Sequence, residues 1–85
     1  MKTITILGKQ YKIIPMNHAE CQGNMGSINR EKQIIMVNKD LAIDQYKETL
    51  IHESLHIISE ELNLNLDEDT VARVAVGLYS TKGIL

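Results

Sequence analysis

The sequence predicts an α+β fold in which a small antiparallel sheet of three to four strands packs against two C-terminal helices. The first 40 residues contain short runs of β-branched and aliphatic residues separated by turn residues. Residues 44–61 lack Gly and Pro and carry apolar residues near the helical period. Strands followed by helices are typical of helices that cover one face of an antiparallel sheet. With 85 residues, the chain is expected to form a single domain over residues 1–85.

The strands are predicted from three segments. Residues 3–7 and 10–14 form a hairpin around a Gly8-Lys9 turn, and Pro15 is expected to end its second strand. Residues 16–27 contain two Gly and two Asn and are predicted to be a loop. A further strand begins at residues 27–29, and residues 33–37 are the clearest strand of the chain.

Two helices are predicted in the second half, over residues 44–61 and 67–80. Asp40 or Asp44 is a suitable cap for the first helix, and Gly83 is expected to terminate the second. The second helix carries four apolar residues on one face: Val71, Val74, Ala75 and Leu78. Of these, Val71, Ala75 and Leu78 are expected to point towards the first helix.

Composition excludes several classes of function. The net charge is −2 and no basic stripe is present, so a nucleic-acid partner is not expected. No apolar run approaches the roughly 20 residues that span a bilayer, so a membrane protein is not expected either. The single Cys21 cannot form an internal disulfide, which favours a reducing, cytoplasmic location.

Two of the three histidines lie in the sequence His52-Glu53-Ser54-Leu55-His56, which has the HExxH pattern. Residues four apart lie on one face of a helix, so His52 and His56 can share a cation. Neutral imidazole is a good zinc ligand. Glu53 lies one step round the helix, where a carboxylate can take a proton from a water that the metal activates. These residues predict a zinc site with Glu53 as its general base.

The competing interpretation is a pair of surface helix histidines beside an acid. By chance alone, a chain of this composition would contain HExxH in roughly 0.8% of cases. The motif also lies between apolar residues, where two imidazoles and a carboxylate need polar partners. Both observations favour the metal site.

A catalytic zinc needs a third protein ligand, and no histidine follows His56. Glu68 is favoured because it shares a helical face with Val71 and Ala75. The alternative role for Glu68 is a capping box with Asn65 as N-cap.

Other third ligands remain open on the sequence. Asp67 comes second to Glu68, because the start of a helix is uncertain by a residue or two. His18 and Cys21 come next, both from the upstream loop. The metal itself can also differ, because nitrogen and oxygen ligands accept manganese, iron or nickel besides zinc.

Residues 49–58, TLIHESLHII, resemble the active-site helix of short phage and bacterial HExxH metallopeptidases of the ImmA/IrrE type and of the minigluzincins. Residues 68–75, EDTVARVA, resemble the family's ExxANxFA helix, although Ala72 stands in place of Asn and Val74 in place of Phe. Residues 26–28 and 33–37 resemble the strands that precede the active-site helix. The resemblance implies a zincin-like fold, with Glu68 as third zinc ligand and Glu53 as catalytic base.

The resulting functional prediction is a zinc (Zn2+) metalloendopeptidase that acts on a peptide or protein, and the resemblance implies a role in phage or mobile-element regulation. In such peptidases the strand beside the active-site helix pairs with the substrate, here within residues 33–37, and the alternative is an ordinary core strand. Tyr46 and Tyr79 are possible oxyanion donors, although packing roles are favoured. The alternative function is a zinc-stabilised interaction module without peptidase activity.

Overall fold

The structure, a computed structural model, describes residues 2–81 and confirms the predicted α+β class. Four strands precede two helices: β1 (Lys2–Ile6), β2 (Lys9–Met16), β3 (Gly26–Asn29), β4 (Ile34–Asn38), α1 (Ile43–Glu61) and α2 (Glu68–Ser80). Each predicted strand and helix is present within a few residues of its expected bounds. Within residues 2–81, no helix is long and apolar enough to cross a membrane.

The strands form one mixed sheet in the order β1-β2-β4-β3. β1 and β2 form the predicted hairpin, whose turn places Leu7 and Gly8 at positive φ. β3 and β4 also pair antiparallel, whereas β2 and β4 are parallel. The expected antiparallel pairing is therefore wrong at the centre of the sheet. After β2 the chain crosses to the edge of the sheet opposite β1 and forms β3, and it then returns to form β4 between β2 and β3. β4 therefore runs in the same direction as β2.

Pro15 lies inside β2, so the expectation that it ends the strand is wrong. It is aligned with Val37 of β4 and lies two residues beyond the last β1 partner, in the pair Lys2↔Ile13. The Lys12 N–H donates to the Gln33 carbonyl on the β4 side. By the alternation of a strand, residue 15 directs its nitrogen to the opposite side, where no pairing with β1 requires an N–H.

The core lies between the sheet and α1. Its buried apolar residues come from alternate strand positions and from one helix position: Ile6, Tyr11, Ile13, Ile35, Val37 and Ile57. Among the described elements, α2 packs against α1 alone, through the buried side chains of Val71 and Ala75. Leu78, which was expected to point towards the first helix as well, is 51% exposed and does not belong to this buried contact; Val74 is 39% exposed.

Neither predicted carboxylate caps α1. Its N-cap is Ala42, which makes no side-chain capping hydrogen bond. Asp40 instead accepts the His18 backbone N–H at 2.9 Å, and Asp44 accepts the Tyr79 hydroxyl at 2.6 Å. Asp44 therefore connects α1 to α2, and Asp40 connects the segment before α1 to the loop after β2.

The short link between the helices is held by polar contacts at both ends. The buried Ser59 accepts the Leu66 N–H at 3.0 Å, which satisfies a backbone donor in the link. Asp67 is the N-cap of α2 and accepts the Thr70 N–H at 2.7 Å. The predicted stop signal of α2, Gly83, lies outside the described residues.

Candidate metal centre

His52 and His56 project from the same face of α1, as their spacing predicts. Their Nε2 atoms are 3.1 Å apart, and their side chains are 20% and 30% exposed. The rings meet edge to face, with centroids 4.8 Å apart. Two imidazole nitrogens thus converge on one point at the surface between α1 and α2.

Glu68 completes the group from the first residue of α2. Its Oε1 is 2.6 Å from His52 Nε2 and its Oε2 is 2.7 Å from His56 Nε2. The capping interpretation of Glu68 is wrong, because Asp67 is the N-cap and Asn65 lies two residues before it. With Asp67 serving as the cap, Glu68 is free to face the two imidazoles.

The donor set fits a zinc ion. Two imidazole nitrogens and one carboxylate oxygen match the ligand chemistry of catalytic zinc sites. Zinc–ligand bonds near 2.1 Å at tetrahedral angles separate ligand atoms by about 3.3 Å, close to the 3.1 Å between the two Nε2 atoms. The two carboxylate contacts are shorter, and the Glu68 side chain is 71% exposed, so it has room to withdraw.

The remaining ligand candidates lie elsewhere. In the described part of the chain, His52, His56 and Glu68 are the one group of three or more His, Cys, Asp or Glu residues whose ligand atoms converge. The Nδ1 of His18 is 3.3 Å from the Asn38 amide nitrogen. Cys21 is a partly buried free thiol in the same loop. The structure therefore brings together the favoured three residues and none of the alternatives.

The electrostatics of Glu68 match its place between two histidines. Partial burial acts to raise its pKa, but the charges of His52 and His56 and their hydrogen bonds act in the opposite direction and outweigh it. The net result is a Glu68 pKa below its ordinary value. Glu68 is thus ionised at neutral pH, which is the state that binds a cation.

Glu53 lies in the same cleft as His52 and Glu68. Burial raises the pKa of its carboxyl group, the charges of His52 and His56 oppose this, and the Glu68 charge adds to the rise. Its pKa therefore lies above the ordinary value for a glutamate, in the direction that suits a general base working near neutral pH.

The three candidate ligands, His52, His56 and Glu68, lie between two open clefts. The first, of about 350 Å³, is bounded by α1, α2 and the segment that leads into β3. The second, of about 320 Å³, begins at His56 and is lined by the polar link between the helices. A larger cavity of about 810 Å³ lies near the start of α1. None of the residues 2–81 that line it carries a carboxylate or an imidazole, so it is not the candidate site.

The edge strand beside the site is β3, not the predicted segment 33–37. β4 is interior, and Ile35 and Val37 are fully buried, so this strand is the core strand of the alternative interpretation. Among the described strands, β3 pairs only with β4, and it also contacts α1. This edge position was not predictable, because strand order is not encoded in local apolar patterns.

The tyrosines have packing and structural roles. Tyr46 packs against the core cluster. The Tyr79 hydroxyl donates to Asp44, and this hydrogen bond raises the Tyr79 pKa. Neither tyrosine lines the clefts at the metal ligands, which agrees with the favoured interpretation.

Gly26 was not among the predicted site residues, yet it lets α1 lie close to β3. A Cβ at this position would lie 2.9 Å from Thr49 Cγ2, 3.1 Å from the Met36 carbonyl and 3.2 Å from Glu53 Cγ. Thr49 is buried and its hydroxyl donates to the Gln45 carbonyl, so its side chain has little freedom to move.

We expect Gly26→Ala to lower the free energy of unfolding by about 1–3 kcal/mol, because the added methyl group overpacks the contact between β3 and α1. Chemical denaturation measures the change. Gly77→Ala is the matched control, since its Cβ would meet nothing within 4 Å. This control should stabilise α2 by about 0.5–1 kcal/mol. Equal effects of the two variants would contradict the close packing at Gly26.

Comparisons with known proteins add no family to this description. No family model, no curated protein and no solved structure matches the chain. The function of the protein therefore has to be inferred from the residues of the site.

Proposed function

We propose that the protein is a zinc-dependent metallopeptidase that hydrolyses peptide bonds. One observation carries the proposal: the ligand atoms of His52, His56 and Glu68 converge, and Glu53 shares their cleft. Three protein ligands leave a fourth tetrahedral position for a reactant, which distinguishes catalytic from structural zinc sites. The additional carboxylate in this cleft, that of the partly buried Glu53, supplies the group that a general base requires.

The residues divide the chemistry between them. His52, His56 and Glu68 would hold the zinc ion, which when bound supplies a Lewis acid that polarises a carbonyl group and acidifies water. Glu53 accepts a proton from the attacking water and passes it to the nitrogen of the departing amine. Its elevated pKa brings proton uptake and release closer to neutral pH.

The substrate backbone would bind along β3. Because β3 is an edge strand, its outer N–H and C=O groups are open to pairing with an extended peptide. Its first residue, Gly26, lies beside the Glu53 side chain, since a Cβ at position 26 would be 3.2 Å from Glu53 Cγ. A peptide paired with β3 would therefore pass near the general base. A peptide or protein is therefore the substrate class that suits the site.

The resemblance to ImmA/IrrE-type peptidases supports a regulatory substrate encoded by, or acting on, a phage or mobile element, by analogy alone. The lone Cys21 supports a reducing, cytoplasmic location.

Metal removal tests the proposal. We expect dialysis against a chelator to abolish cleavage of a peptide mixture by the purified full chain, and one equivalent of zinc to restore it, because the Lewis acid is lost and regained. Mass spectrometry of the products measures cleavage, and elemental analysis measures bound zinc. Magnesium is the control, because it prefers all-oxygen octahedral coordination and should not restore cleavage. Cleavage that survives complete removal of zinc would contradict the proposal.

A further inference from the structure

We propose that the cleft beside His52 binds a lysine or arginine side chain of the substrate, with Glu48 as the residue that recognises its charge. This inference rests on the proposed peptidase function and adds a substrate class to it. The supporting observation is that side chains of α1 and α2 line the same cleft.

Two rows of side chains face each other across this cleft. Glu48 and His52 lie one turn apart on α1, and Glu68, Ala72 and Val76 lie at successive turns of α2. The metal ligands occupy one end of the two rows. Glu48 on one helix and Val76 on the other occupy the opposite end.

The wall opposite Glu48 is apolar. Ala72 and Val76 come from α2, and Met25 comes from the segment before β3. Met25 and Val76 are 51% and 46% exposed, so they offer apolar surface that the fold leaves uncovered. A long basic side chain fits such a cleft, because its methylene groups can cover apolar surface while its charged end meets a carboxylate.

Glu48 is available for this contact. It is partly buried, and within residues 2–81 no Lys or Arg lies at ion-pair distance from it. Among residues 2–81, those that line the cleft include three carboxylates, of Glu48, Glu53 and Glu68, and no Lys or Arg. A zinc ion carries two positive charges, so the third carboxylate leaves the loaded site with a net negative charge. A cationic side chain complements it.

The spacing places Glu48 near the reacting bond. Glu48 precedes His52 by four residues, which is about 6 Å along the axis of α1. An extended peptide advances about 3.3 Å per residue. The selected basic residue therefore lies within about two residues of the bond that is cleaved.

Two measurements test the inference. In the first, the zinc-loaded full chain digests a peptide mixture, and the residues around each cleaved bond are counted by mass spectrometry. We expect Lys and Arg to be favoured about fivefold at one position near the bond, the upper range for a partly exposed ion pair. Glu48→Gln should remove this preference and Glu48→Lys should shift it to Asp and Glu. Glu31→Gln, the same change in an exposed turn, is the control and should alter nothing.

The second measurement does not require hydrolysis. Zinc-loaded Glu53→Gln protein is titrated with acetylated hexa-alanine peptides that carry one lysine, or norleucine, at each position in turn. At one position, the lysine peptide should bind about fivefold more tightly than the norleucine peptide. Adding Glu48→Gln to the Glu53→Gln protein should make the two peptides bind equally. Equal binding throughout would overturn the inference. Cleavage without any basic preference would overturn it too, while leaving the peptidase proposal intact. Selective binding without cleavage in the first measurement would support the cleft and refute the peptidase.

Discussion

Glu53→Gln is expected to lower kcat/KM for peptide hydrolysis about 1,000-fold while zinc stays bound. Gln keeps the size of the side chain but cannot accept a proton, and positioned general bases contribute about 100- to 10,000-fold. Glu53 is not among the three converging ligand atoms, so its loss should leave the metal in place. Initial rates on a cleaved peptide and zinc content by elemental analysis, both on the same preparation, measure the two quantities.

The interpretation of this variant depends on its folding and metal content. Glu31→Gln is again the control, since it changes one exposed carboxylate far from the clefts. Undiminished hydrolysis by zinc-loaded Glu53→Gln would exclude Glu53 as the base. A biological effect of the protein that survives the same substitution would instead favour the zinc-stabilised interaction module.

Glu68→Ala is expected to remove most of the stability that zinc adds to the fold. A ligand at 1,000 times its dissociation constant stabilises the native state by about 4 kcal/mol. For a chain of this size, that corresponds to a rise of about 15–30 °C in Tm. Loss of a direct ligand should weaken zinc binding by at least about 100-fold, which would reduce the gain to about 1.4 kcal/mol. Thermal unfolding with and without zinc measures both.

The size of this effect follows from the packing of α2. This helix contacts α1 and, among the described elements, nothing else. A metal bound by His52 and His56 of α1 and by Glu68 of α2 would therefore cross-link the two helices. Asp69→Asn is the matched control: Asp69 lies in the same first turn but pairs only with Arg73, on the exposed surface. If zinc raised the Tm of Glu68→Ala as much as that of Asp69→Asn, Glu68 would not be a ligand.

The sheet shows where local patterns cease to be informative. The strands were predictable because β-branched runs and turn residues mark them locally. The hairpin of β1 and β2 forms as expected, although its turn lies at Leu7-Gly8, one residue before the predicted Gly8-Lys9. The insertion of β4 between β2 and β3 was not predictable, because it depends on how a loop of nine residues crosses the end of the sheet. The pairing partner of a strand is a property of the whole chain.

The predictions of the helix caps were wrong for a related reason. Asp40, Asp44 and Asn65 are all suitable N-caps by residue type, yet none of them caps a helix. Asp40 and Asp44 accept hydrogen bonds from other segments instead, and Asn65 has a positive φ rather than the extended backbone of an N-cap. Propensity identifies candidates for a role, and tertiary contacts choose among them.

The sequence by itself determined that two imidazoles and a carboxylate share one helix. The spacing of His52, Glu53 and His56 along the chain, together with 3.6 residues per turn, fixes their mutual directions whatever surrounds them. Only the tertiary structure decided the rest of the site: that Glu68 meets both histidines, that Gly26 lets β3 approach Glu53, and that Glu48 faces an apolar wall. Those contacts join residues far apart in sequence, so they depend on how α2 and β3 pack against α1 rather than on any local pattern.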